Sequence, residues 1–183
     1  MYPNHLKKVA RKLAEYMGPY HAVHVRRGDK VFESSFSRVY HDPDWYASRI
    51  SEFRELTPKV YIATDEPNRA YFDAFKNYQL TTIFWESLPG VDQVLRPYLQ
   101  HFPKRMFMDI LGMIEQLLGA YANLFLGSGY STFTTYILRL RKYRDVIATD
   151  TSFSDPALGL PANVRNQKST CDPIKALTHV KPC

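Results

Sequence analysis

The chain has 183 residues, 45% of them hydrophobic, which suits one domain of ordinary size with a single buried core. Lys and Arg number 24 against 18 Asp and Glu, a formal charge of +6 that favours anionic partners. The charge is dispersed and no aromatic residues interleave a basic run, which argues against nucleic acid; the longest apolar region, Ile110 to Gly127, carries Glu115, Gln116 and Asn123 and falls short of a membrane span.

The chain opens without a basic-then-apolar leader, so any signal or anchor segment of a parent protein is expected to lie outside it. Asn4 is placed to cap a helix whose apolar stripe is Leu6, Val9, Leu13 and Met17, closed by Gly18-Pro19. His21 to Val25 reads as a first strand. Asp42-Pro43-Asp44 reads as an N-cap followed by Pro in the first turn of a helix through Phe53. Val60 to Ala63 is a second strand, Pro67 to Asn77 a helix and Thr81 to Trp85 a third strand. A long helix, Lys104 to Tyr121, precedes a strand at Asn123 to Leu126, a helix from Ser131 to Tyr143 and a last short strand at Val146 to Ala148.

Strands alternate with helices throughout, and this predicts an α/β domain with a parallel sheet covered by helices on both faces. The domain is expected over 1–150. From 151 to 183, Pro, Asn, Ser and Thr dominate and periodicity fades, as in a wrapping or partly disordered tail. Cys171 and Cys183 lie in that tail, as one disulfide or as two free thiols.

The first strand ends in Val25-Arg26-Arg27-Gly28-Asp29-Lys30. Guanidinium forks match phosphate oxygens, and alternation sends Arg26 and Arg27 to opposite faces, with His24 beside Arg26. The bland account is a surface strand whose arginines pair with acids. Gly127-Ser128-Gly129-Tyr130-Ser131-Thr132 joins a strand to a helix, where backbone N–H groups and hydroxyls suit an anion. Ser131 or Thr132 as a helix cap explains the same residues. The loop lacks the lysine of a Walker motif and the spacing of a dinucleotide fingerprint. Asp65 ends the second strand, either as cap of the helix that Pro67 begins or as a ligand contact. Asp42-Pro43-Asp44 imitates a metal-binding Asp-x-Asp pair, but capping accounts for it better, and no essential metal is expected. Glu115, read by helical position alone, faces solvent on an amphipathic helix.

Three blocks, in order, resemble the fucosyltransferases that use GDP-fucose, of the α1,6-fucosyltransferase and protein O-fucosyltransferase type. They are His24-Val25-Arg26-Arg27-Gly28-Asp29-Lys30, Val60-Tyr61-Ile62-Ala63-Thr64-Asp65, and Ala122 to Phe133 with Arg139 beyond; the likeness runs from Tyr20 to Arg141, roughly two thirds of the chain. It implies a Rossmann-like sheet corresponding to the C-terminal, donor-binding half of a GT-B glycosyltransferase. An N-terminal, acceptor-side half is then missing from this chain, and catalysis by the chain alone is not expected.

The resemblance implies that Arg26 binds the β-phosphate and neutralises the leaving group, and that His24 lies along the guanine or diphosphate. Glu115 stands where the family carries an acid, more often Asp, that accepts from guanine N1–H and the exocyclic amine. Arg27, Gly28, Asp29, Asp65, Ser128, Ser131 and Thr132 complete the implied donor contacts. Lys30 matches a phosphate-binding lysine, and Glu33, with one residue deleted before it, a general base. The implied reaction is inverting and metal-independent, with no cofactor: a glycan or protein hydroxyl attacks the anomeric carbon as GDP departs from the other face. The implied setting is the Golgi or endoplasmic reticulum lumen, or the cytoplasm in a bacterium. The competing classes are a non-catalytic nucleotide- or glycan-binding module derived from such a transferase, and a purely structural domain.

Overall fold

A computed structural model of the chain describes residues 2–28, 42–129 and 131–142. Helix α1 (Asn4–Met17) buries Leu6, Ala10, Leu13 and Met17, a stripe spaced by three and four residues. Val9 packs at its margin instead of in its centre. Asn4 lies inside the helix rather than capping it; Pro3 precedes it and no side chain closes the N-terminus. The other end is closed twice. Gly18, at φ 67°, turns its N–H back to the carbonyls of Ala14 and Glu15, a left-handed conformation that costs glycine nothing. Lys59 Nζ donates to the Met17 carbonyl at 2.6 Å.

Strand β1 (His21–Val25) is buried at all five residues, as the central strand of a parallel sheet must be. Helix α2 (Pro43–Ser51) follows, with Asp42 accepting from Trp45 N at 2.8 Å, the cap and Pro start that the sequence predicts. Strand β2 (Lys59–Thr64) leads into a 3-10 turn (Arg69–Phe72) and the single-turn helix α3 (Ala74–Asn77). The continuous helix expected from Pro67 is therefore two short pieces. Asn68, whose side chain accepts from Ala70 N at 3.2 Å, caps the first piece, and Asp65 is released from the capping role expected for it.

Strand β3 (Thr81–Ile83) is shorter than expected because a 3-10 turn begins at Trp85. A π-helical turn (Val91–Leu95) running into helix α4 (Arg96–Leu99) fills a region that sequence periodicity left unassigned. Helix α5 (Phe107–Tyr121), strand β4 (Phe125–Gly127) and helix α6 (Thr132–Lys142) complete the described fold. The expected last strand, Val146 to Ala148, and the tail with Cys171 and Cys183 lie outside the described residues.

All four strands are parallel, in the order β3-β2-β1-β4. Alternation along β1 and β2 divides their side chains between two cores. Ala22, Tyr61 and Ala63 pack with Leu13, Met17, Leu111, Ile114 and Leu118 of α1 and α5 and with Ile137 of α6. Val23, Val25, Val60 and Ile62 pack on the other face against Tyr46, Ala47 and Ile50 of α2 and against Phe72 and Phe75. The molecule is thus an α/β, Rossmann-like arrangement, a parallel sheet between helical layers.

From β1 the chain builds outward to β2 and β3, then crosses to the other edge of β1 to form β4. The carboxyl ends of β1 and β4 flank the point where those directions part, which is where open parallel sheets bind ligands. No helix among the described residues is long and apolar enough to cross a membrane.

Candidate functional site

Two registers set the site: His24 lies opposite Gly127 on one side and opposite Ala63 on the other. The residues that follow, Arg26 to Gly28, Thr64 to Glu66 and Ser128, therefore leave the sheet together. Ser128 staples β4 to β1. Its N–H donates to the His24 carbonyl at 2.9 Å, and its hydroxyl accepts from Arg26 N at 2.9 Å and donates to the His24 carbonyl at 3.2 Å. Tyr46 Oη sits 3.3 Å from the same hydroxyl. Ser128, a predicted donor contact, is thus engaged within the protein.

The two arginines diverge as alternation predicts. Arg27 lays its guanidinium over the Tyr71 ring, 4.2 Å from the centroid, and pairs through Nη1 with Glu66 Oε2 at 3.2 Å. Arg26 has a side chain 42% exposed, with Nε 3.4 Å from Asp65 Oδ2. Asp65 also accepts from Arg27 N at 2.6 Å, so one carboxylate organises both residues. Gly28 is required beside it: a Cβ there would come within 2.5 Å of Asp65 Oδ2. Thr64 Oγ1 donates to the Val25 carbonyl at 2.7 Å and ties the ends of β1 and β2.

His24 is buried, stacked on Phe133 with ring centroids 4.4 Å apart and planes at 24°, and its Nδ1 is 2.8 Å from Thr134 Oγ1. Burial first, and the Arg26 charge second, push its pKa down to about 3, so the imidazole is neutral at physiological pH. Both its partners stand in the first turn of α6. Ser131 caps that helix, its Oγ accepting from Thr134 N at 3.4 Å, and Thr132 is its first residue. The capping account of Ser131 is correct, and it leaves the anion reading open, because the other N–H groups of a helix's first turn have no intrahelical acceptor.

Glu115 belongs to a different group of side chains. It stands on α5 and accepts from the buried Tyr61 hydroxyl at 2.8 Å, so it is turned toward the sheet and only partly toward solvent. Burial raises its pKa to about 7, opposed by the Tyr61 hydrogen bond and the Arg69 charge and reinforced by Glu86. Asp29, Lys30 and Glu33 lie outside the described residues. Among those described, no group of three or more His, Cys, Asp or Glu side chains is disposed to hold a metal ion.

The structure thus gathers His24, Arg26, Arg27, Gly28, Asp65, Ser128, Ser131 and Thr132 at one sheet edge. Sequence reasoning passed over Phe133, Thr134 and Tyr71, whose roles depend on which strand end each helix lies against. The spacing Ser131-x-x-Thr134 was a signal in hand, since it brackets a cap and the N–H it holds. No protein-family model and no curated protein matches the chain.

Proposed function

We propose that this chain binds a guanosine-diphosphate sugar at the carboxyl ends of β1 and β4, as the donor-binding half of an inverting, metal-independent GT-B fucosyltransferase. The observation that carries the reading is the convergence of Arg26, the neutral imidazole of His24 and the N-terminus of α6 at the switch point of the sheet. A guanidinium and a helix N-terminus both stabilise the charge that grows on a departing diphosphate. The sugar and the enzyme class come from the sequence resemblance; the geometry supports the anion part of the reading.

In this mechanism the acceptor hydroxyl forms the new bond to the anomeric carbon while the bond to the β-phosphate oxygen breaks, its electron pair leaving with GDP. The hydroxyl proton passes to a general base, the role that the resemblance gives to Glu33. Arg26 and Lys30 hold the phosphates, and Glu115 reads the guanine edge once ionised. The acceptor, a glycan or a protein hydroxyl, is the business of a second half outside these residues, in a Golgi, endoplasmic reticulum or bacterial cytoplasmic setting.

Titration calorimetry with GDP, GDP-fucose, GDP-mannose, UDP and ADP tests the reading. Guanine nucleotides are expected to bind and UDP and ADP to bind far more weakly. Arg26→Ala should weaken GDP by roughly 10- to 100-fold, the size of hydrogen bonds to a charged group. Glu115→Ala should lose the preference for guanine over adenine. Equal binding of GDP and ADP, with Arg26→Ala unaffected, would overturn the assignment. The Arg26–Asp65 pair favours a second reading, a non-catalytic nucleotide- or glycan-binding module, because that ion pair gives Arg26 a partner within the protein that needs no reacting group. Transfer from GDP-fucose to an acceptor, with an acceptor-side half supplied, separates the two.

A further inference from the structure

Thr134, which was not singled out from the sequence, joins the first turn of α6 to the ends of both β1 and β4. It is buried, its backbone N–H is held by Ser131, and its Oγ1 lies 2.8 Å from His24 Nδ1. It also closes on β4: a Cβ on Gly127 would meet Thr134 Cγ2 at 2.5 Å and Oγ1 at 2.6 Å, so only glycine lets α6 approach the strand end this closely. Phe133 fixes the plane of the imidazole from the same helical turn. The ring, 5% exposed, makes no hydrogen bond through Nε2 among the described residues.

A neutral imidazole carries one proton, and the partner of one nitrogen decides which nitrogen has it. If Thr134 donates to Nδ1, the proton is on Nε2 and the ring offers a donor; if Thr134 accepts, Nε2 offers a lone pair. Beside a diphosphate the first arrangement attracts and the second repels. We propose that Thr134 is a positioning residue, whose hydroxyl donates to Nδ1 of His24 and so presents Nε2–H to the anion held at the N-terminus of α6. The proposal rests on the nucleotide reading above for the identity of that anion. It makes one helix responsible both for binding charge through its N-terminus and for setting the donor beside it.

Thr134→Ser and Thr134→Ala differ by one oxygen, and thermal melts of both check that they fold. The first readout is the ring 15N chemical shifts of His24 in the unliganded chain, assigned by comparison with His24→Gln. The wild type and Thr134→Ser should show protonated Nε2 and unprotonated Nδ1, and Thr134→Ala a mixture of the two tautomers. The second readout is titration with GDP and with pyrophosphate, where Thr134→Ala should bind both about tenfold more weakly and Thr134→Ser should recover most of the loss. A proton on Nδ1 in the wild type overturns the proposal without any variant. Identical tautomers and affinities in the two variants overturn it as well. If the tautomer follows the hydroxyl but no protein binds GDP or pyrophosphate, the nucleotide reading falls and the control of His24 by Thr134 stands.

Discussion

Glu115 and Arg26 are the two charged residues to which the proposed reading gives nucleotide recognition, and they differ in their surroundings. Arg26 stands at a strand end with its side chain partly exposed, whereas burial pushes the Glu115 carboxyl up to about 7, near its midpoint at neutral pH. Only the ionised form accepts two hydrogen bonds from guanine, so preference for GDP over ADP should strengthen as pH rises from 6 to 8. Stability moves the other way. A carboxyl whose folded pKa is raised contributes most below its ordinary value of 4.5, and the contribution is lost as pH rises through about 7. Glu115→Gln should therefore gain on the wild type between pH 5 and pH 8, by on the order of 2 kcal/mol. Urea melts at the two pH values measure this, and a pH-independent difference would mean that the carboxyl is unperturbed.

At the scale of elements, one side chain adds a polar clamp to the apolar joint between α5 and α6. Arg141, 3% exposed on α6, donates through Nη1 to the carbonyls of Gly119 at 2.9 Å, Ala120 at 3.3 Å and Ala122 at 2.7 Å, and through Nη2 to Asn123 at 3.0 Å. Gly119 and Ala120 lie in the last turn of α5, whose carbonyls have no intrahelical donors, and Ala122 and Asn123 follow its end. Arg141→Met keeps the stem and removes every donor, which should cost about 3 kcal/mol. Arg141→Lys, a point charge without the fork, should recover only part of it. Denaturant unfolding decides; a loss under 1 kcal/mol for the Met variant would show that solvent replaces the guanidinium there. Because α6 also carries Ser131 and Thr134, the joint supports the site as well as the fold.

For the whole molecule, β1 carries a buried imidazole at each end, His21 and His24. Burial lowers the pKa of both below the ordinary 6.5, so both rings take up protons more readily in the unfolded chain than in the folded one. Their contribution to stability therefore falls as pH drops through 6.5. Glu115, whose pKa is raised, acts in the opposite direction over the same window, so the histidine contribution is read in a Glu115→Gln background. Denaturation midpoints from pH 5 to 7.5 test this, with His24→Asn expected to flatten the slope. A midpoint constant across that range in the Glu115→Gln background would contradict neutral burial of the two rings.

The chain pattern alone was sufficient for the architecture. A five-residue strand of Ala, Val and His, buried on both faces, and regular strand–helix alternation leave a parallel sheet between helical layers as the consistent arrangement. Capping at Asp42 was equally local, because its acceptor and the Trp45 N–H lie three residues apart. Where propensity is weak, sequence reading failed: the segment after Pro67 breaks into a 3-10 turn and α3, and the π-helical turn at Val91 takes its shape from packing against α1 and α5.

Within the site, Arg26, Arg27, His24 and Ser131 were legible because a strand end or helix start announces them locally. Asp65 as organiser of both arginines, Ser128 as a staple, Glu115 turned toward Tyr61 and Thr134 beneath His24 were decided by the tertiary structure. Each depends on the strand order β3-β2-β1-β4, which sets three distant chain segments side by side. Contacts 38 to 110 residues apart in the chain leave no periodicity to read, and only the closed sheet brings them within hydrogen-bonding distance.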